Sequence, residues 1–144
     1  MAINIILILV WIAYMICEGD KEAFLYHYAA FTTKSLNVNL HSMFLFQRSL
    51  AFSAFVLALA LNIQLWISVA LISLGLIAIS PFFHDGMYYY MRNLIDGIYP
   101  KKWLDQTKDT TSSTAAWSSK FESALARIVY LIIGIILIVL AFVI

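Results

Sequence analysis

Four stretches of this chain are too long and too apolar to belong to a water-soluble domain. They run from about 2–17, 43–61, 65–83 and 128–144. Crossing the hydrocarbon of a bilayer takes about 17–25 mostly apolar residues, because each helical residue advances about 1.5 Å. The last three stretches reach that length and the first falls just below it. Inside lipid a backbone has to satisfy its own hydrogen bonds, and four such runs cannot make a closed barrel. The Ile- and Val-rich segments therefore read as helix, not strand. Charged residues make up 12% of the chain and hydrophobic ones 63%. A soluble domain carries about 25% charged residues, and a soluble fold this small could not hide so much apolar surface. The expected fold is all-α: one polytopic membrane domain over 1–144, with four transmembrane helices and an interfacial amphipathic helix after the third.

The connections set the expected direction of the spans. Spans two and three are separated only by Asn62, Ile63 and Gln64, a tight helical hairpin that makes them antiparallel neighbours. The other two connections, about 18–42 and 84–127, hold most of the polar sequence. All nine basic residues fall in or beside them: Lys21, Lys34, Arg48, Arg92, Lys101, Lys102, Lys108, Lys120 and Arg127. By the positive-inside rule both long connections face the cytoplasm and both termini lie outside. The expected location is the plasma or inner membrane. The first span lacks a basic segment before it and a small-x-small cleavage site after it, so it reads as a retained anchor. Its single cysteine, Cys17, leaves no internal disulfide and no CxxC motif.

Residues 18–30 are able to continue the first helix past the membrane surface, weakened at Gly19 by about 1 kcal/mol relative to Ala. Pro81 is expected to kink or end the third span. The following stretch, from His84 to Ile95, has the pattern of an interfacial helix. Tyr88, Tyr89, Tyr90, Tyr99 and Trp103 have the apolar body and polar tip that suit the headgroup layer, and Gly97 and Pro100 close the segment. Residues 105–120, rich in Ser and Thr, read as an exposed loop. Small residues at Ala51, Ala54, Ala58, Gly75 and Gly134 are the expected points of close helix packing.

Several titratable residues map to one level, the cytoplasmic end of the bundle: Glu18, Glu22, His41, Arg48, His84, Asp85 and Arg92. Glu18 and Glu22 stand four residues apart on one helix face and repel each other unless they are solvated, paired with an arginine or bound to a cation. His41 and Arg48 share a face of the second helix. Arg48 lies about a turn inside its apolar run, where a charge has to reach the interface or find a partner. An ion pair with Glu18 or Glu22 would satisfy both sides. His84 and Asp85 end the third apolar run, and Arg92 has the spacing of a surface ion pair with Asp96. Glu18, Glu22, His41, His84 and Asp85 form the candidate polar or metal cluster, with Arg48 and Arg92 as anion or ion-pair partners.

Three functions compete for this pattern. A non-enzymatic membrane subunit would use the cluster to pack helices and its cytoplasmic connections to dock a protein partner or a second copy. A membrane-interface enzyme would use His and carboxylate ligands for a divalent metal that activates water against a lipid phosphate or ester, with Arg48 and Arg92 holding the anion. A holin-like pore former or small transporter would need polar groups near the midplane, where span three offers only Ser68, Ser73 and Gly75 and span four only Gly134. The net charge of +1 gives no basis for nucleic-acid binding. No phosphate-binding loop or catalytic motif is present.

Overall fold

The computed structural model describes residues 2–32, 37–96 and 124–144. Four helices account for nearly all of them: α1 Ala2–Thr32, α2 Asn37–Asn62, α3 Trp66–Asp96 and α4 Ala124–Val143. No strand occurs among the described residues. Each helix contains a segment long and apolar enough to cross a membrane, so the chain is an all-helical, multi-pass membrane protein. The expected loop 105–120, Gly97, Tyr99, Pro100 and Trp103 lie outside the described residues, as do the side chains of His27, His41 and Asp96.

The helices alternate in direction. Arg48 and Phe52 of α2 meet Glu22 and Trp11 of α1 respectively, so α1 and α2 are antiparallel. Trp11 and Glu22 of α1 meet Ser80 and His84 of α3 in the same chain order, so α1 and α3 run in parallel. Gly134 and Arg127 of α4 meet Gly75 and Asp85 of α3, so these two are antiparallel. The central helix is α3, which packs along both α1 and α4. The hairpin at 63–65 does turn α2 back onto α3, closed by the Ile63 amide donating to the Leu59 carbonyl at 2.9 Å. Yet α2 lies more loosely on the bundle than its neighbours do. Leu59 and Phe44 are its buried apolar residues, whereas Met43, Phe46, Leu50, Leu57 and Leu61 point outward.

An apolar helix surface facing lipid tolerates few polar groups, and α2 deals with its own by turning them inward on the backbone. Ser49, Ser53 and Asn62 each donate to the carbonyl four residues earlier, at 2.7–2.9 Å. Ser80 of α3 does the same to Leu76 at 2.6 Å, and its hydroxyl also accepts the Trp11 indole N–H at 3.0 Å.

The dry part of the core joins Ile8, Trp11 and Met15 of α1, Leu59 of α2, Val69, Ile72, Leu76 and Ile79 of α3, and Ala141 of α4. Trp11 anchors it, packing edge-on against Phe52 and Phe55 at 5.3 and 5.1 Å between ring centroids. At the α3–α4 crossing the backbones nearly touch. A Cβ on Gly75 would lie 2.8 Å from the Gly134 carbonyl oxygen, and one on Gly134 would lie 2.7 Å from that of Gly75. Such close approach needs a residue without a side chain on both helices. Of the small residues expected at crossings, Gly75 and Gly134 take that role and Ala51 packs at the core margin. Ala54 instead faces outward. A third glycine contact is not foreshadowed by the sequence: Gly19 of α1 lies against the His84 carbonyl and the Tyr88 amide nitrogen of α3. The residue that weakens α1 as an isolated helix is the one that lets α1 and α3 meet.

The third span is longer than its sequence suggests. Pro81 neither ends it nor starts a separate interfacial helix. α3 continues through Pro81 for 31 residues in all, about 46 Å at the usual helical rise and longer than a hydrocarbon core of about 30 Å. Its last turns are held by packing: Tyr88, Tyr89 and Asn93 are fully buried, with Tyr88 and Tyr89 edge-on at 5.1 Å beside Ala23. Tyr88 and Tyr89 thus face the bundle interior instead of a headgroup layer.

Candidate functional site

The buried charged residues of the four helices converge at one end of the bundle, the end away from the α2–α3 turn, whereas the buried Asn4 and Ser68 lie toward the other. Arg48 lies about 21 Å along its helix axis from Asn62, Arg127 about 24 Å from Val143, and His84 about 27 Å from Trp66, at about 1.5 Å per residue. All three therefore stand at a similar level of the bundle, about 21–27 Å along their helices from the end marked by the α2–α3 turn. Sealed inside the bundle, a lone charge costs several kcal/mol, so partners are required.

The geometry supplies them in an unbroken series. Arg48 of α2 lies 2.7 Å from Glu22 Oε2 of α1. The same carboxylate oxygen lies 3.0 Å from His84 Nε2 of α3. The other ring nitrogen, Nδ1, lies 2.8 Å from Asp85 Oδ1. Asp85 Oδ2 in turn lies 3.7 Å from Arg127 Nε of α4. Every helix contributes, and the interior members are sealed: Glu22, Asp85 and Arg127 are 0% exposed and His84 is 1% exposed. The Arg127 guanidinium also stacks 4.9 Å above the Tyr89 ring, a contact that favours a desolvated cation.

A second, more open group flanks the first. Glu18 Oε1 accepts from Lys21 Nζ at 2.5 Å and from Gln47 Nε2 at 3.2 Å. Lys21 also donates to Gln47 Oε1 at 3.1 Å and lies over the Phe44 ring. The like-charge problem of Glu18 and Glu22 is thereby solved with two separate cations, Lys21 and Arg48, each from a different direction. The consecutive Gln47, Arg48 and Ser49 divide the work: the first reaches Glu18, the second Glu22, and the third bonds its own helix.

Of the residues singled out from sequence, Glu22, Arg48, His84 and Asp85 come together, with Glu18 one turn away. His84 and Asp85 are interior helical residues rather than a cap or headgroup contact. Arg92 lies two turns further along α3, where it donates to the Tyr88 hydroxyl at 3.3 Å. The His41 side chain lies outside the described residues. No group of three or more His, Cys, Asp or Glu side chains able to hold a metal occurs among the described residues. The carboxylates expected as ligands face arginine, lysine or imidazole. Arg127 joins the site without being singled out by the sequence, since an arginine at the start of a span reads as a flanking charge. Its one signal is its place three residues inside α4, at the depth of Arg48. Comparison with family models, curated proteins and solved structures found no match.

Proposed function

We propose that this protein is a non-enzymatic integral membrane subunit whose buried ionic series fixes the arrangement of its four helices and whose cytoplasmic end docks a partner. The observation that supports it most directly is the run Arg48–Glu22–His84–Asp85–Arg127, which takes at least one residue from every helix and engages both carboxylates with a cation from another helix. Apolar packing between helices in lipid gains little from the hydrophobic effect, since lipid tails are as apolar as leucine. Ion pairs with defined partners specify which helix faces which. In this reading the polar end is cytoplasmic and both termini lie outside, which the distribution of the nine basic residues supports. Beyond the series α1 and α3 continue for about 15 Å or a little more, and there Phe24, Leu25 and Leu94 are exposed among the described residues. An apolar surface at that end suits a protein partner or a second copy of the chain.

The test is a double-mutant cycle on Glu22→Gln and Arg48→Gln, read as unfolding of the bundle from lipid-detergent micelles. Coupling above about 1 kcal/mol is expected for a direct contact. Additive losses, or plasma mass spectrometry finding a stoichiometric metal that the Glu22→Gln variant loses, would sink the reading.

A further inference from the structure

One imidazole between two carboxylates raises a question of proton number. A neutral histidine ring has a single N–H, and its other nitrogen offers only a lone pair. Here both ring nitrogens face carboxylate oxygens, Nδ1 to Asp85 Oδ1 at 2.8 Å and Nε2 to Glu22 Oε2 at 3.0 Å. Two ionised carboxylates around a neutral ring would leave a lone pair against a negative oxygen in a sealed, low-dielectric interior. One further proton among the three groups removes that clash and makes both contacts attractive.

We propose that Glu22, His84 and Asp85 form a buried proton-binding site, and that its occupancy controls how α1 sits on α3. The proposal rests on the ionic series described above and assigns it a ligand. The charged groups around the site come from all four helices: Glu22 of α1, with Glu18 and Lys21 a turn away, Arg48 of α2, Asp85 of α3 itself, and Arg127 of α4 behind Asp85. With the proton bound, Nδ1–H donates to Asp85 and Nε2–H to Glu22. When it leaves for bulk water, no bond other than N–H or O–H breaks. Asp85 is the chain neighbour of His84 and stays with it on α3. Glu22 belongs to another helix and is held on its far side by Arg48 at 2.7 Å. Separation after proton loss therefore falls on the Glu22–His84 contact, which joins α1 to α3. The same point is where Gly19 brings the two backbones together against the His84 carbonyl, so a change in the contact is transmitted directly to the helix crossing. Titratable groups buried between membrane helices serve as proton carriers in pumps and transporters, and this trio has the chemistry for proton-coupled movement.

The experiment is nitrogen-15 and carbon-13 NMR of the full chain in lipid vesicles across the pH range, with the signals of His27 and His41 identified from a His84→Gln sample. The His84 ring nitrogens and the carboxyl carbons of Glu22 and Asp85 are expected to shift together at one shared midpoint, as coupled sites do. Glu22→Gln and Asp85→Asn are each expected to move the ring midpoint by about one pH unit or more, a roughly tenfold change in proton affinity. Glu18→Gln should leave it nearly in place. Spin labels at Leu25→Cys and Leu94→Cys, in a Cys17→Ser background, should report a changed α1–α3 distance across the same midpoint. A ring that never titrates, or carboxyl signals that ignore it, would overturn the proposal. Both of those signals are also assigned on the wild-type chain, each side chain through its bonds to its own backbone, so they decide the matter even if the variants fail to fold. Intact Glu22–Arg48 coupling with a silent ring defeats only the proton site; lost coupling with a titrating trio defeats only the assembly reading.

Discussion

The two ends of this bundle solve the same packing problem with opposite chemistry. Toward the α2–α3 turn the helices meet through Leu76, Ile79, Leu59 and the bare backbones of Gly75 and Gly134. At the other end they meet through Arg48, Glu22, His84, Asp85 and Arg127. The apolar end fits by shape, and small sliding motions cost it dispersion contacts a few at a time. The ionic end fits by partner identity: each group has a named counterpart, and a helix in the wrong place leaves a buried charge alone. Closeness and selectivity are thus supplied by different regions of one bundle.

Three substitutions break or sharpen that contrast. The largest effect is expected from Arg127→Met, which leaves the sealed Asp85 without its α4 cation and should cost about 3–5 kcal/mol in bundle unfolding. A double variant Asp85→Asn/Arg127→Met, which removes the lone charge and keeps an oxygen facing His84, should recover part of the loss, and no recovery would mean that the Asp85 charge is not what Arg127→Met exposes. Next comes Gly134→Val, whose side chain would collide with the Gly75 carbonyl and Ile79. Overpacking of this kind costs about 1–3 kcal/mol, and cross-linking between α3 and α4 should fall while the Glu22–Arg48 coupling survives. If that coupling collapsed too, the two ends would not be separable. The smallest effect is expected from Lys21→Ala. Its side chain is 36% exposed, so its pair with Glu18 should contribute about 0–1 kcal/mol. A loss as large as that of Arg127→Met would show that exposure does not rank these pairs.

The spans are legible in the sequence and the interior of the site is not, for physical reasons. Apolar runs of bilayer length identify helices because lipid forbids most alternatives. The pairing of Arg48 with an α1 carboxylate is also readable, since a charge inside an apolar run must find a partner and Glu18 and Glu22 lie at the right depth. Which carboxylate it takes depends on how α1 and α2 are rotated, and no residue spacing encodes that. Pro81 misleads because the steric and hydrogen-bond penalties of a proline are local, whereas the packing of Tyr88, Tyr89 and Asn93 that keeps α3 helical is not. Gly19 misleads for the same reason, its helix propensity being a single-helix property. The metal alternative follows from depth alone, which brings histidine and carboxylate to one level but says nothing of the arginines and lysine standing between them.

The order of the series along the chain has a consequence for how the molecule is made. Glu22 is synthesised first, Arg48 follows, then His84 and Asp85, and Arg127 comes last. Each acidic group therefore emerges before its cationic partner. Until Arg48 is made Glu22 has no cation from another helix, and Asp85 has none until Arg127 is made. The two pairs that tie neighbouring helices together, α1 to α2 and α3 to α4, are therefore completed one after the other, each only when the later helix of its pair has been made.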